Sequence, residues 1–295
     1  MQQLTPEHLR YLQKCAINAA KKAGEIIIAS DTRQIDVKTK SGGDTIASQV
    51  VTDVDLRCET SIINTLQQSI DDYDLGLLSE ERGDDGSRFE KDYFWCVDPM
   101  DGTLSYIEGV PGYSVSIGLV SKSGQAVIGV VYDPVKKTLY SAVTGQGAMR
   151  DGKPWKLDNA APKAAKPLTL VCDRGLEEKA FYPGLLDSLQ EFAEAMGASG
   201  LSTLHKGGAV MNGCWVLENT PACYFKRPKP EQGGGSLWDF AAIACLFNEA
   251  GGIATDFYGE PLNLNQNETT FMNEKGVIFA SHPQMAETIH QLKFN

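Results

Sequence analysis

Between residues 113 and 150 the chain changes period. Three apolar runs, YSVSIGLV, QAVIGVVY and TLYSAV, are separated only by the turn-formers SKSG and DPVKK. Val115, Ile117 and Leu119 recur at every second position, the period of a strand with distinct faces. Links this short join antiparallel neighbours, so the stretch predicts a meander.

The segments around it have the helical period. Residues 5–30 predict an amphipathic helix: Thr5 can cap it, Pro6 suits its first position, and Leu9, Leu12, Ala16, Ala19, Ala23 and Ile26/Ile27 share a face. Residues 38–48 read as a loop, about 52–70 as a second helix, and LGLLS and YFWCV as short strands. Pro99 should stop the second strand at Asp98, because proline cannot continue in a sheet centre. Beyond 166, strands are expected at 167–172, 200–204, 222–226, 253–257 and 276–280. Helices are expected at about 177–196, 208–218 and 237–250, with a last one from Ser281. This mixture points to an α+β chain of stacked helix and sheet layers with mixed and antiparallel sheets, not a simple doubly wound sheet. The Lys-, Pro- and Ala-containing stretch 151–166 is the candidate boundary, dividing an N-terminal α+β half, 1–155, from a C-terminal α/β half, 156–295. With 295 residues, 42% of them hydrophobic, one large domain or two intimately packed ones can bury a core.

Charge narrows the function. Lys and Arg number 27 against 38 Asp and Glu, a net charge of −11, which argues against nucleic-acid binding. A small phosphorylated substrate remains compatible where metal ions supply the positive charge. Seven cysteines without a CxxC spacing suggest reduced thiols in a cytoplasmic protein. The charged MQQLTPEHLR start is not expected to be a secretory leader, and no apolar run is long enough to cross a membrane. Four histidines without HExxH pairing make a His-type zinc site unexpected.

The chemistry concentrates in WCVDPMDGTLSY, residues 95–106, where Asp98 and Asp101 stand three apart after an apolar strand. An Asx turn would need only one of them. Two such carboxylates can converge on a divalent cation, and an all-oxygen set suits Mg²⁺. Gly102 and Thr103 would offer backbone N–H groups to an anion. Three more carboxylates are candidates. Asp55 lies three residues after Thr52, and Asp239 three after Ser236, so each is either a helix-capping residue or part of a site. Glu80 ends a strand and is either solvated or functional. A haloacid-dehalogenase-type nucleophile loop places one residue between its aspartates, whereas Pro99 and Met100 both intervene here.

Three separated stretches, SEERG, WCVDPMDGTLSYIEGVPGYSVSIGLV and LWDFAAIACLFNEAGG, resemble the inositol monophosphatase family of Mg²⁺-dependent, lithium-inhibited phosphatases, over roughly residues 10–290. The resemblance implies an αβαβα layered sandwich and two or three Mg²⁺ ions. Glu80, Asp98 and the carbonyl of Met100 would hold the first ion. Asp98, Asp101 and Asp239 would hold the second, with Asp98 bridging, and Glu80 would touch a weaker third. Thr103 would hydrogen-bond the attacking water and Asp55 would orient Thr103. Gly102 and Thr103 would hold the phosphate, and a homodimer is the family's frequent assembly. The implied reaction is hydrolysis of a phosphate monoester by an activated water, without a covalent intermediate.

Two departures bear on substrate. KGGAVMN, 206–212, has Gly208 and Ala209 at a helix start where many family members place Ser or Thr at the first. CYFKRPKPEQGGGSLWD carries Lys226, Arg227 and Lys229 where inositol-specific members often have a glutamate. The basic loop is either solvated surface or a clamp for a second anionic group. The expected substrate is an inositol monophosphate or similar polyol phosphate. The alternative is a 3′(2′),5′-bisphosphate nucleotide. Fructose 1,6-bisphosphate and a non-catalytic metal-binding scaffold rank lower.

Overall fold

A computed structural model describes residues 4–30, 36–39, 50–158 and 166–291. Its elements in chain order are α1 (Pro6–Ala29), β1 (Val37–Thr39), β2 (Val50–Thr52), α2 (Asp53–Tyr73), β3 (Gly76–Ser79), α3 (Ser87–Glu90), β4 (Tyr93–Asp101) and α4 (Thr103–Ile107). The meander follows as β5 (Ser114–Ser121), β6 (Ala126–Asp133), β7 (Thr138–Val143), β8 (Gly147–Arg150) and β9 (Lys153–Trp155). The remainder is β10 (Leu168–Val171), α5 (Tyr182–Ala195), β11 (Leu201–Leu204), α6 (Ala209–Glu218), β12 (Ala222–Lys226), α7 (Leu237–Ala250), β13 (Ile253–Thr255), β14 (Val277–Ala280) and α8 (Pro283–Gln291). Of the loop expected at 38–48, Lys38 and Thr39 belong instead to β1, paired with β2, and residues 40–48 lie outside the described residues, as does 159–165 of the expected boundary.

Strands β3 to β9 form one seven-stranded sheet in sequence order, parallel only between β3 and β4. A second, mixed sheet runs β11-β10-β12-β14-β13. Period-two alternation decides what covers each face. In β4, Trp95 and Val97 point to the core shared with Leu12, Ala16 and Ala23 of α1 and Ile62 and Leu66 of α2. Their neighbours Phe94 and Cys96 point the other way, to a core built with α6 and α7. That same core takes in Tyr224 and Phe279 of the second sheet. The outer face of the second sheet buries Leu168, Leu170 and Phe225 against Leu185 and Leu189 of α5 and Met285 and Ile289 of α8. The order of layers is therefore α1/α2, seven-stranded sheet, α6/α7, five-stranded sheet, α5/α8.

One expectation is corrected. β4 does not stop at Asp98 but runs through Pro99 to Asp101. Its pairing with β3 ends at Val97, so beyond that residue β4 is an edge, where a missing N–H is tolerated. Its register with β5 also breaks between Asp98 and Asp101, a bulge that re-aims side chains. Among the described residues no helix is long and apolar enough to cross a membrane, and all seven cysteines are free thiols.

Candidate active site

Alternation along β4 puts Asp98 on the same face as Phe94 and Cys96, the face that α7 covers. Asp239, in the first turn of α7, can therefore meet it. Oxygens of Asp98, Asp101 and Asp239 lie within 4.8 Å of one another. Glu80 follows β3, its amide bonding the Val97 carbonyl at 3.1 Å, and its carboxyl hydrogen-bonds the Asp98 side chain. Asp98 and Asp101 are buried. Burial first, and then the surrounding carboxylates, push both well above the usual carboxylate range. Asp239 is pushed up to about 6 by burial and by Glu80, against the pull of Lys226 and the Ser236 amide.

This cluster fits Mg²⁺ on its own chemistry. The donors are hard oxygens, converging and mutually repelling, and a divalent cation would reverse the electrostatic cost of ionising them together.

Each of the three aspartates also has a local structural task. Asp98 Oδ1 accepts the Met100 amide at 3.0 Å, an Asx turn. Asp239 Oδ2 accepts the Ser236 amide at 2.6 Å, at the start of α7. Asp101 caps α6: Oδ1 accepts from the Ala209 N–H and Oδ2 from the Val210 N–H, both at 3.0 Å. Gly208 makes this approach feasible, since a Cβ there would stand 2.3 Å from Asp101 Oδ2.

Asp55 and Thr103 form a second unit. Asp55 Oδ2 accepts from the Thr52 amide at 2.8 Å and the Thr52 hydroxyl at 2.6 Å. Oδ1 accepts from the Thr103 hydroxyl at 3.1 Å. That hydroxyl also lies 3.2 Å from the Met100 carbonyl. Burial pushes Asp55 up to about 6 even though Thr52 favours its charged form. Gly102 adopts a left-handed φ of 84° and begins the turn into α4. A Cβ on it would lie 2.5 Å from the Gly112 carbonyl, and one on Gly112 would lie 2.5 Å from the Lys206 carbonyl. The Gly208 amide bonds the Gly112 carbonyl at 2.8 Å. Three chain segments thus touch backbone to backbone beside the carboxylates.

The basic residues separate. The Lys226 ammonium is 3.0 Å from Asp173 Oδ2. Burial alone would lower its pKa, but Asp173 and Asp239 outweigh burial and raise it. The Arg227 guanidinium instead lies over the Phe181 ring, 4.4 Å from its centroid. Lys229 is tied through its backbone to Asn273. Sequence reasoning missed Asp173, with its partners Tyr224 and Asn212. The signal was present, because Asp173 ends the apolar run LTLVC as Asp98 ends YFWCV.

Residues 8–293 match the model of the inositol monophosphatase family. A curated relative, the Nus factor SuhB of Pasteurella multocida, is 31% identical over 255 residues, covering 83% of this chain and 84% of that protein. Among solved structures, inositol monophosphatase from Anabaena (Nostoc) sp. PCC 7120 superposes with a TM-score of 0.71 at 23% identity, over 97% of this chain and 98% of that one. Inositol monophosphatase-II from Staphylococcus aureus MSSA476 gives 0.70 at 20% identity, over 97% and 96%. SaIMPase-II has been solved with inositol monophosphate and with 2′-AMP bound.

Proposed function

The chain belongs to the inositol monophosphatase family, and from that premise we propose that it hydrolyses a small phosphate monoester with Mg²⁺. The observation that carries this reading is the convergence of Asp98, Asp101 and Asp239 within 4.8 Å, beside an Asp55–Thr103 pair. In the proposed roles, Glu80, Asp98 and the Met100 carbonyl hold one ion, and Asp98, Asp101 and Asp239 a second. Mg²⁺ held by these residues would supply the lowered water pKa and the charge neutralisation that the phosphoryl oxygens need.

The chain's own groups do the rest. Asp55 accepts a hydrogen bond from the Thr103 hydroxyl, which turns a lone pair of that oxygen outward to orient the attacking water. The Gly102 and Thr103 amides hold the phosphate. Gly208 and Ala209 line the side where the rest of the substrate lies. The substrate class we favour is inositol monophosphate or a similar polyol phosphate, supported by the DGTLSYIEGVPGYSVSIGL stretch. The half-buried cation Lys226 favours a second reading, a bisphosphate nucleotide whose distal phosphate it would meet. A net charge of −11 supports a small-molecule partner over nucleic acid for this chain, whatever the Nus-factor role of the relatives.

The test is turnover of inositol 1-phosphate and adenosine 3′,5′-bisphosphate, with Mg²⁺ and with chelator, by wild type, Asp98→Asn and Lys226→Ala. We expect no turnover without metal or with Asp98→Asn. Activity in metal-free wild type would overturn the mechanism. A tenfold or greater rise in KM for Lys226→Ala on the bisphosphate alone, about 1.4 kcal/mol or more, with that substrate the better one for wild type, would decide for the nucleotide.

A further inference from the structure

Asp173 stands two residues beyond the C-terminal end of β10, as Asp98 stands in β4 where pairing with β3 has just ended. Its side chain is 39% exposed, yet both of its oxygens have protein partners. Oδ1 accepts from the Tyr224 hydroxyl at 2.8 Å and from Asn212 Nδ2 at 3.2 Å. Oδ2 faces the Lys226 ammonium at 3.0 Å. Tyr224 and Asn212 are fully buried. The Asn212 amide orientation follows from its need to donate to a carboxylate, and this leaves its Oδ1 buried without a partner. Two neutral donors thus fix one oxygen of Asp173 and direct the other at the lysine.

Lys226 also stands within the electrostatic reach of Asp239 and Asp101. Tyr224 and Lys226 alternate on one face of β12, the face that packs on α6 and α7. The first turn of α6 grips Asp101, and the first turn of α7 carries Asp239. Asn212, within one turn of Ala209, joins that same helix to Asp173. A lysine on a four-carbon stem released from Asp173 would find Asp101 and Asp239 as its next anions. Those are the carboxylates that a divalent cation needs.

We propose that Asp173 is a positioning residue that holds the Lys226 ammonium off Asp101 and Asp239, keeping both carboxylates available to the divalent cation. The inference rests on reading Asp101 and Asp239 as cation ligands. It requires no particular substrate. Without the anchor, an internal cation competes with the external one, so the effect of losing Asp173 runs through Lys226 and disappears when Lys226 is removed.

The experiment is calorimetric titration of Mg²⁺ into full-length, metal-free protein without substrate. Wild type is compared with Asp173→Asn, Lys226→Met and the double variant, each checked for folding by thermal melting. Asp173→Asn should weaken Mg²⁺ binding by about fivefold or more, the effect of one nearby charge partly screened. Lys226→Met should bind at least as tightly as wild type, and the double variant should match Lys226→Met. Should Asp173→Asn fail to fold, Tyr224→Phe, which removes one donor to Asp173, should weaken binding in the same direction and be reversed by Lys226→Met. Unchanged Mg²⁺ binding by Asp173→Asn, or equal weakening in Asp173→Asn and the double variant, would overturn the proposal. Absence of any Mg²⁺ binding by folded wild type would overturn the reading of the carboxylates as ligands, and the proposal with it.

Discussion

Asp55 and Asp239 each stand three residues after a hydroxyl-bearing helix cap, and each returns an oxygen to that residue's amide. In α2 the arrangement is closed: Thr52 gives both its N–H and its hydroxyl to Asp55 Oδ2, and Thr103 takes Oδ1. In α7 it is open: the Ser236 amide engages Oδ2, and the carboxylate also reaches within 4.8 Å of Asp98 and Asp101. A cap and a site are therefore not competing descriptions of one carboxylate, because its two oxygens can serve different partners. The difference lies in each carboxylate's other neighbours: Asp55 reaches a hydroxyl, whereas Asp239 reaches carboxylates, as does Asp101 although both its oxygens accept amides of α6. Both oxygens of Asp55 are committed to protein donors, which suits a residue that orients a neighbour. Asp239 has capacity left for a cation.

The comparison breaks most visibly at Asp239. Asparagine keeps an oxygen for the Ser236 amide but loses the charge. Asp239→Asn should therefore lower kcat/KM by about a thousandfold, with the melting temperature of the metal-free protein unchanged or raised; steady-state kinetics and calorimetry check this. Near wild-type kinetics in the folded variant would remove Asp239 from the site.

Asp55→Asn and Thr103→Ala should each lower kcat by about a hundredfold with KM little changed. The double variant should be scarcely worse than the worse single one, since the pair acts as a unit. Fully multiplicative losses would assign them separate roles.

Titration sharpens the contrast further. Asp55 and Asp239 are both raised to about 6, above the unfolded value near 3.8. A carboxyl raised on folding contributes stability that is fully present below the unfolded value and is lost as pH rises through the folded one. Metal-free protein should accordingly lose stability between about pH 4 and 6, on the order of 1–3 kcal/mol per group. Mg²⁺ should cancel the part due to Asp239 and leave the part due to Asp55. Urea unfolding of wild type and Asp55→Asn across that window, with chelator and with Mg²⁺, measures both.

The smallest effect is the cap itself. Asp239→Ala should cost about 0.5–2 kcal/mol of stability with Mg²⁺ absent, partly offset by relief of repulsion in the cluster. Asp55→Ala should cost more, because it strands two Thr52 donors and leaves the Thr103 hydroxyl only the Met100 carbonyl. Equal costs in urea unfolding would show that the two caps are energetically alike.

What was legible in the sequence follows the range of the interactions. The meander declared itself through Val115, Ile117 and Leu119, because alternation is a local property. The carboxylates Asp98 and Asp101 stood out beside Pro99, Gly102 and Thr103 because turn-formers have strong local signatures. The continuation of β4 past Pro99 was not legible, since it depends on where the neighbouring strand β3 ends. Asp101 as the cap of α6 could not be read either, because its two partners lie more than a hundred residues away. Nor could the separation of Lys226 from its neighbour Arg227, which follows from strand alternation and from what each face meets.

The contact of Gly102 with Gly112, and of Gly112 with Lys206, has a consequence for how such a protein can diversify. Because main chain rests on main chain there, the spacing between the phosphate-side turn and the 206–208 segment is a ruler without adjustable marks. Side-chain changes can only wedge it apart. New substrate preferences must then arise at the periphery, by exchanging residues such as Lys226 and by lengthening the 227–235 loop, while the gauge at the centre stays constant.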